Sequence, residues 1–197
     1  MKFLLATRNE HKRREFARLL EAAGGRGHQL ALLPESVVLP PEIAESFAEN
    51  ALEKARAAAA ATREVAIADD SGIEAAALAG APGVRSARYA GERASDEENL
   101  AKLLREAPAG SALRYVCALA YVDARGGEEE RLFEGTCEGR LAAAPRGDRG
   151  FGYDPAFIPD DGDGERTMAE LSDAEKDAIS HRGRAVRELV RWLREHS

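Results

Sequence analysis

The stretch Phe3-Leu4-Leu5-Ala6-Thr7-Arg8-Asn9-Glu10-His11-Lys12-Arg13-Arg14-Glu15-Phe16 decides how the rest of the chain is read. Its first four residues form an apolar run that reads as a strand. From Phe16 onward, Leu19, Leu20 and Ala23 recur at helical spacing until Gly24-Gly25 ends the pattern. Asn9 falls where a helix N-cap belongs. The first turn of a helix carries partial positive charge and unpaired N–H groups, yet Arg8, Lys12, Arg13 and Arg14 add cations to it. An anion is therefore expected there. Helical side chains lean toward the N-terminus, which sends Lys12 back over the strand-to-helix loop, where phosphate oxygens would meet it and the free N–H groups. The competing reading is a solvated basic helix end that tolerates a small dipole penalty.

The remaining pattern is mixed α/β. Ser46 to Glu49 has capping-box spacing and opens a helix running to about Thr62, and Val65-Ala66-Ile67-Ala68 reads as a short buried strand ending in Asp69-Asp70-Ser71-Gly72. Leu113 to Val122 predicts a central strand, followed by a Gly126-Gly127 turn and a second strand from Leu132 to Cys137. Arg140 to Gly152 reads as a long loop, and Asp160 to Glu165 as an acidic turn. Val186, Leu189, Val190 and Leu193 form one stripe of a terminal helix, with Trp192 packing beside it.

Composition narrows the function. A chain of 197 residues with 44% hydrophobic content buries a real core and is expected to form a single domain over 1–197, with room for two lobes. No apolar run is long enough for a bilayer, and the N-terminus lacks a signal-peptide pattern, so a cytoplasmic protein with no membrane partner is expected. Cys117 and Cys137 are far apart, and His11, His28, His181 and His196 are scattered, which argues against structural zinc. A net charge of −7 argues against nucleic acid as a partner.

Four constellations carry candidate chemistry. The first is the basic helix start. The second is Asp69-Asp70, two carboxylates following a buried strand, where open α/β sheets place ligands. Because successive strand side chains point to opposite faces, one is expected to ligate a metal while the other orients. Carboxylates without histidine or thiolate suit magnesium. The alternative is an Asx-turn at a strand end. Glu42, after Pro40-Pro41, is either a further ligand or a solvated loop residue. Lys54 is one of five lysines among 28 basic residues, so it marks a place needing a compact point charge, unless it only pairs with a neighbour such as Glu53. Third, Gly150-Phe151-Gly152-Tyr153-Asp154-Pro155 sets an aromatic ring between two glycines, as a stacking platform or as a tight turn anchored by core aromatics. Fourth, His181 and Arg182 repeat the cationic helix start if Ser180 is a cap. A single helix running on from Ser172 would instead leave them mid-helix.

Taken together, Thr7-x-Asn9-x-x-Lys12-x-x-Glu15, Phe47-x-Glu49-Asn50-Ala51, Ala68 to Gly72, Ala81-Pro82-Gly83 with Ser86 to Tyr89, Gly150 to Pro155, and Glu175-Lys176 with Ser180 to Arg182 resemble, in order, the inosine/xanthosine triphosphate pyrophosphatase family. Arg8 departs from the glycine that bacterial relatives often carry. The resemblance implies an elongated α/β fold with a long mixed sheet, flanking helices and two lobes with a central active-site cleft, assembled as a homodimer. It implies hydrolysis of ITP, dITP and XTP to the monophosphate and pyrophosphate. Thr7, Arg8, Asn9, Glu10, His11 and Lys12 would bind the triphosphate, with Lys54 alongside. Glu42 and Asp70 would hold Mg2+, and Asp70, helped by Asp69, would activate water. Phe151, Gly152, Tyr153, Asp154, Lys176, His181 and Arg182 would form the base and phosphate pocket, near Ser71.

Overall fold

Inward-facing apolar residues repeat at two periods along this chain, and the computed structural model, which describes residues 2–24, 29–125 and 129–196, shows what each builds. A six-stranded mixed sheet has the order β2-β1-β3-β4-β5-β6. Its strands are β1 (Lys2–Leu5), β2 (Gln29–Leu32), β3 (Ala66–Ala75), β4 (Ala112–Asp123), β5 (Glu129–Leu141) and β6 (Phe157–Pro159). The helices are α1 (Glu10–Ala22), α2 (Phe47–Thr62), α3 (Asp96–Glu106), α4 (Asp173–Ile179) and α5 (His181–Glu195). β1 runs parallel to both β2 and β3, whereas β5 and β6 are antiparallel.

The chain divides into two compact units, one of Met1–Asp70, Cys117–Gly135 and Arg182–Ser197, the other of Ser71–Val116 and Thr136–His181. In the first, Phe3 and Leu5 of β1, Phe16, Leu19 and Leu20 of α1, Leu119 of β4, and Val186, Leu189 and Leu193 of α5 share one apolar core. Trp192 packs against it, edge-on to Tyr121, in the packing role its place beside the stripe predicts. In the second, Ile73, Leu103, Leu113, Tyr115, Phe157 and Met168 form a separate core. Each apolar side chain buried in such a core stabilises it by about 1.5–3 kcal/mol before the entropy of ordering is counted.

Three expectations change. β3 does not end at Ala68 but runs through Asp69, Asp70, Ser71 and Gly72 to Ala75, so the Asx-turn reading is wrong. The apolar run stops at the carboxylates, but the backbone ladder does not need apolar side chains to continue. The C-terminal segment is two helices, because Ser180 is extended at ψ 153° between α4 and α5. The Ser172–Glu175 capping box is formed as well, so the choice posed between two helix starts has both as its answer. β5 is longer than Leu132 to Cys137, reaching Leu141. The Gly126-Gly127 turn, Gly25 and His28 lie outside the described residues.

Candidate active site

The acidic pair is positioned by the end of β1. The register pairs β1 with β3 only at Leu4↔Ala66 and Leu5↔Ile67, so Asp69 and Asp70 lie just beyond the carboxyl end of that parallel partner. Alternation then splits them. Asp69 meets α1 and α5, accepting Lys12 Nζ at 3.0 Å and Arg182 Nε at 3.3 Å on Oδ2. Asp70 meets α2, where Asn50 Nδ2 donates to Oδ2 at 3.0 Å and Lys54 Nζ stands 3.8 Å from Oδ1. The two carboxylates face opposite sides of the sheet, as a two-residue strand period requires.

Lys54 is no surface pair with Glu53. It is buried on the apolar face of α2, ion-paired with Glu42, and donates to the Asp69 carbonyl at 2.6 Å. Burial pulls its pKa down, but Asp69, Asp70 and Glu42 outweigh that and hold its charge above the ordinary lysine range. For Asp70 the balance runs the other way. Burial and the neighbouring Glu42 carboxylate raise its pKa against the pull of Lys54, Lys12 and Asn50. One ammonium flanked by several carboxylates favours its own charge, while each carboxylate shares it with the others. The geometry gathers a carboxylate with an elevated pKa, two lysines and a loop glutamate around one strand segment.

The basic start of α1 is resolved within the chain. Asn9 Oδ1 accepts the Lys12 N–H at 3.1 Å, and Thr7 Oγ1 accepts the Asn9 N–H at 3.2 Å. Arg13 and Arg14 both pair with Glu10 on the exposed side, and His11 is exposed. Arg8 turns away from the loop to the carbonyls of Leu33, Pro34 and Val37, at 3.1, 2.8 and 2.9 Å, and so pins the segment that leads toward Glu42. Of the four cations, Lys12 alone is directed onto the β3 carboxylates.

A second cluster lies wholly in the other unit. Asp154, buried after Tyr153, accepts Lys176 Nζ at 2.8 Å and the Phe151 N–H at 2.9 Å on Oδ2. Lys176 Nζ lies 5.3 Å from the half-buried Phe151 ring. Gly150 has φ +71°, and a Cβ there would stand 2.1 Å from Asp154 Oδ2, so glycine is needed both for the turn and for the close approach. Gly152 donates its N–H to Asp96 at 2.9 Å. Tyr153 is buried and donates its hydroxyl to the Ser86 carbonyl at 2.7 Å, an anchoring role. His181 stacks on Tyr115, with ring centroids 4.6 Å apart and planes at 8°. Ser71 is half-buried in β3.

Arg182, expected in the base and phosphate pocket, has its ion pairs in the first unit. Its Nη1 pairs with Glu15 Oε2 at 3.0 Å and its Nε with Asp69 at 3.3 Å. Glu15 and Asn50 are absent from the residues assigned functional roles by sequence. The signal was present: Glu15 stands four residues before Leu19 on the buried stripe of α1, and Asn50 and Lys54 share the face of Phe47, Ala51, Ala55 and Ala58. A polar residue on an apolar stripe needs a buried partner.

Paired carboxylates met by lysines stand beyond the end of a parallel strand, where α/β sheets place small-molecule sites, and a separate aromatic–lysine–histidine cluster lies in the other unit. The chain belongs to the Ham1 family, whose profile matches residues 3–192. It is 51% identical, over 193 residues covering 95% of this chain and 93% of the relative, to a dITP/XTP pyrophosphatase of Mycolicibacterium paratuberculosis. A HAM1 protein from Coxiella burnetii superposes with a TM-score of 0.86 at 38% identity, covering 99% of both chains. A nucleoside-triphosphatase/dITP/XTP pyrophosphatase from Mycobacterium abscessus does so at 0.72 and 42% identity, covering 98% of this chain and all of that one.

Proposed function

We propose that this protein hydrolyses the non-standard purine nucleoside triphosphates ITP, dITP and XTP to the monophosphate and pyrophosphate, clearing them from the nucleotide pool. The observation that carries the reading is the Asp70–Lys54–Glu42 cluster with Lys12 on the adjacent Asp69. The relatives named for dITP and XTP hydrolysis support it.

Asp70 takes a proton from water as the water oxygen attacks the α phosphorus, the bond from that phosphorus to the bridging oxygen breaks, and pyrophosphate leaves. A carboxylate held above the ordinary aspartate range by burial suits that task. Lys12 and Lys54 offset the charge of the triphosphate. Phe151 stacks on the purine, and Lys176 and His181 with the 151–154 loop surround it. A 6-oxo base accepts from donors there, whereas the 6-amino group of adenine leaves a buried donor unpaired.

Among the described residues no three acidic, histidine or cysteine side chains are arranged as a metal cage. Glu42 and Asp70, two carboxylates converging on one positive charge without histidine or thiolate, fit Mg2+, which keeps waters and takes substrate oxygens. These two residues would hold it, and when bound it supplies charge neutralisation at the phosphates. A homodimer acting in the cytoplasm on free nucleotides, with no membrane or nucleic-acid partner, completes the reading; the net charge of −7 supports the last point, and among the described residues no helix is long and apolar enough to cross a membrane.

The test is a panel of nucleoside triphosphates with magnesium in oxygen-18 water. ITP is expected to yield IMP carrying the label, plus unlabelled pyrophosphate. IDP, or label in pyrophosphate or orthophosphate, would overturn the assignment of the broken bond.

A further inference from the structure

Tyr115 sits at the junction of the groups assigned to the base. It lies on the inward face of β4 between Leu113 and Cys117, and only 7% of it is exposed. One face of its chemistry is the ring: the His181 imidazole lies parallel to it at 4.6 Å, and Phe157 packs against it at 4.6 Å with a 43° tilt. The other is the hydroxyl, which donates to Asp154 Oδ1 at 3.2 Å. Asp154 uses its other oxygen for Lys176 and for the Phe151 N–H. A single side chain therefore touches both the histidine and the carboxylate that seats the aromatic platform and the lysine.

We propose that Tyr115 is a positioning residue for base recognition, its ring fixing the plane of His181 and its hydroxyl fixing the Asp154 carboxylate. The proposal rests on the pyrophosphatase reading above for what is recognised, but not for the geometry. An imidazole whose ring normal is set by a stacked aromatic presents its N–H groups in one plane. A carboxylate held on both oxygens keeps the ammonium and the loop N–H in fixed places. A phenylalanine at 115 would fill the core equally well. The hydroxyl is surplus to packing.

Two substitutions separate the two roles. Tyr115→Phe keeps the stack and removes the bond to Asp154, so the KM for ITP is expected to rise about three- to tenfold with kcat changed less than twofold. Tyr115→Leu removes both, and the preference for ITP over ATP is expected to fall about tenfold further. Histidine-selective NMR gives a readout that needs no turnover. The ring-current shift of the His181 imidazole should persist in Tyr115→Phe and vanish in Tyr115→Leu, with circular dichroism showing both variants folded. Unchanged KM in Tyr115→Phe together with unchanged selectivity in Tyr115→Leu would reduce Tyr115 to core filler and overturn the proposal. A wild-type His181 resonance without a ring-current shift would also overturn it, whatever the activity. A wild-type protein that fails to hydrolyse ITP sinks the pyrophosphatase reading, and the recognition role with it, while the NMR comparison still decides the positioning geometry.

Discussion

Asp70 shows how one side chain is driven in opposite directions by stability and chemistry. Burial and the Glu42 charge hold its folded pKa above the ordinary aspartate value of 3.8, so the folded protein binds this proton more readily than the unfolded chain does. The stability from that proton is fully present below the unfolded pKa and is lost as pH rises through the elevated folded pKa. At neutral pH the ionised carboxylate is a net cost to the fold. Asp70→Asn is therefore expected to raise Tm at pH 7.5, with the gain shrinking toward pH 3, while turnover of ITP falls by about 10²- to 10⁴-fold. Thermal melts across pH, paired with initial rates, check both halves. An inactive variant that is also destabilised at neutral pH would mean that Lys54, held charged by three carboxylates, depends on Asp70 more than Asp70 suffers from burial. Gly150 offers a second test at this scale. Gly150→Ala puts a methyl against Asp154 at a positive φ, so the Phe151 N–H contact must break, and the KM for ITP is expected to rise while the rate through the Asp70 cluster persists.

Among the elements, α1, β3 and α5 meet through Glu15, Asp69 and Arg182, each less than a tenth exposed. Removing one member of such a buried set strands the charges left behind, and Arg182→Ala is expected to lower unfolding stability by about 3–5 kcal/mol. Glu15→Gln with Arg182→Met should cost less than the sum of the single changes, because neither partner is then left charged. Denaturant titrations of the four proteins decide this, and strict additivity would show that the pair is not coupled. Sequence reached the elements well and their partners poorly. The start of α1 at Asn9, the start of α2 at Ser46 and the central position of β4 follow from caps and periodicity, which are local. The extension of β3 past its apolar run was not legible, since a strand can carry carboxylates wherever neighbouring elements answer them. The partners of the cationic start of α1 were not legible for the same reason. Its local anomaly is met by Glu10, by the carbonyls of the 33–37 segment, and by Asp69, which no local rule connects to Lys12.

At the scale of the whole molecule, the candidate site residues sort themselves by unit. Lys12, Lys54, Glu42, Asp69 and Asp70 lie in one, with Lys12 on Asp69 and Lys54 on Glu42, and Phe151, Asp154, Lys176 and His181 in the other, with Lys176 on Asp154 and His181 stacked on Tyr115. Chain order separates them in the same way, the first set lying wholly before the second. If the first set handles phosphate and the second the base, their contributions to kcat/KM should be separable. Lys12→Ala is expected to lower kcat/KM for ITP and for ATP by the same factor, about 10- to 100-fold, because a phosphate contact does not see the base. His181→Ala is expected to narrow the ratio of the two substrates by about tenfold, since it removes a donor matched to a 6-oxo group. The double variant should then show the two losses adding to within about 0.5 kcal/mol, as independent sites do. Steady-state kinetics on four proteins and two nucleotides complete the cycle. A shift in the ITP-to-ATP ratio from Lys12→Ala alone, or a coupling well above that margin, would mean that phosphate and base are read by one connected network, and the division of labour between the units would have to be abandoned.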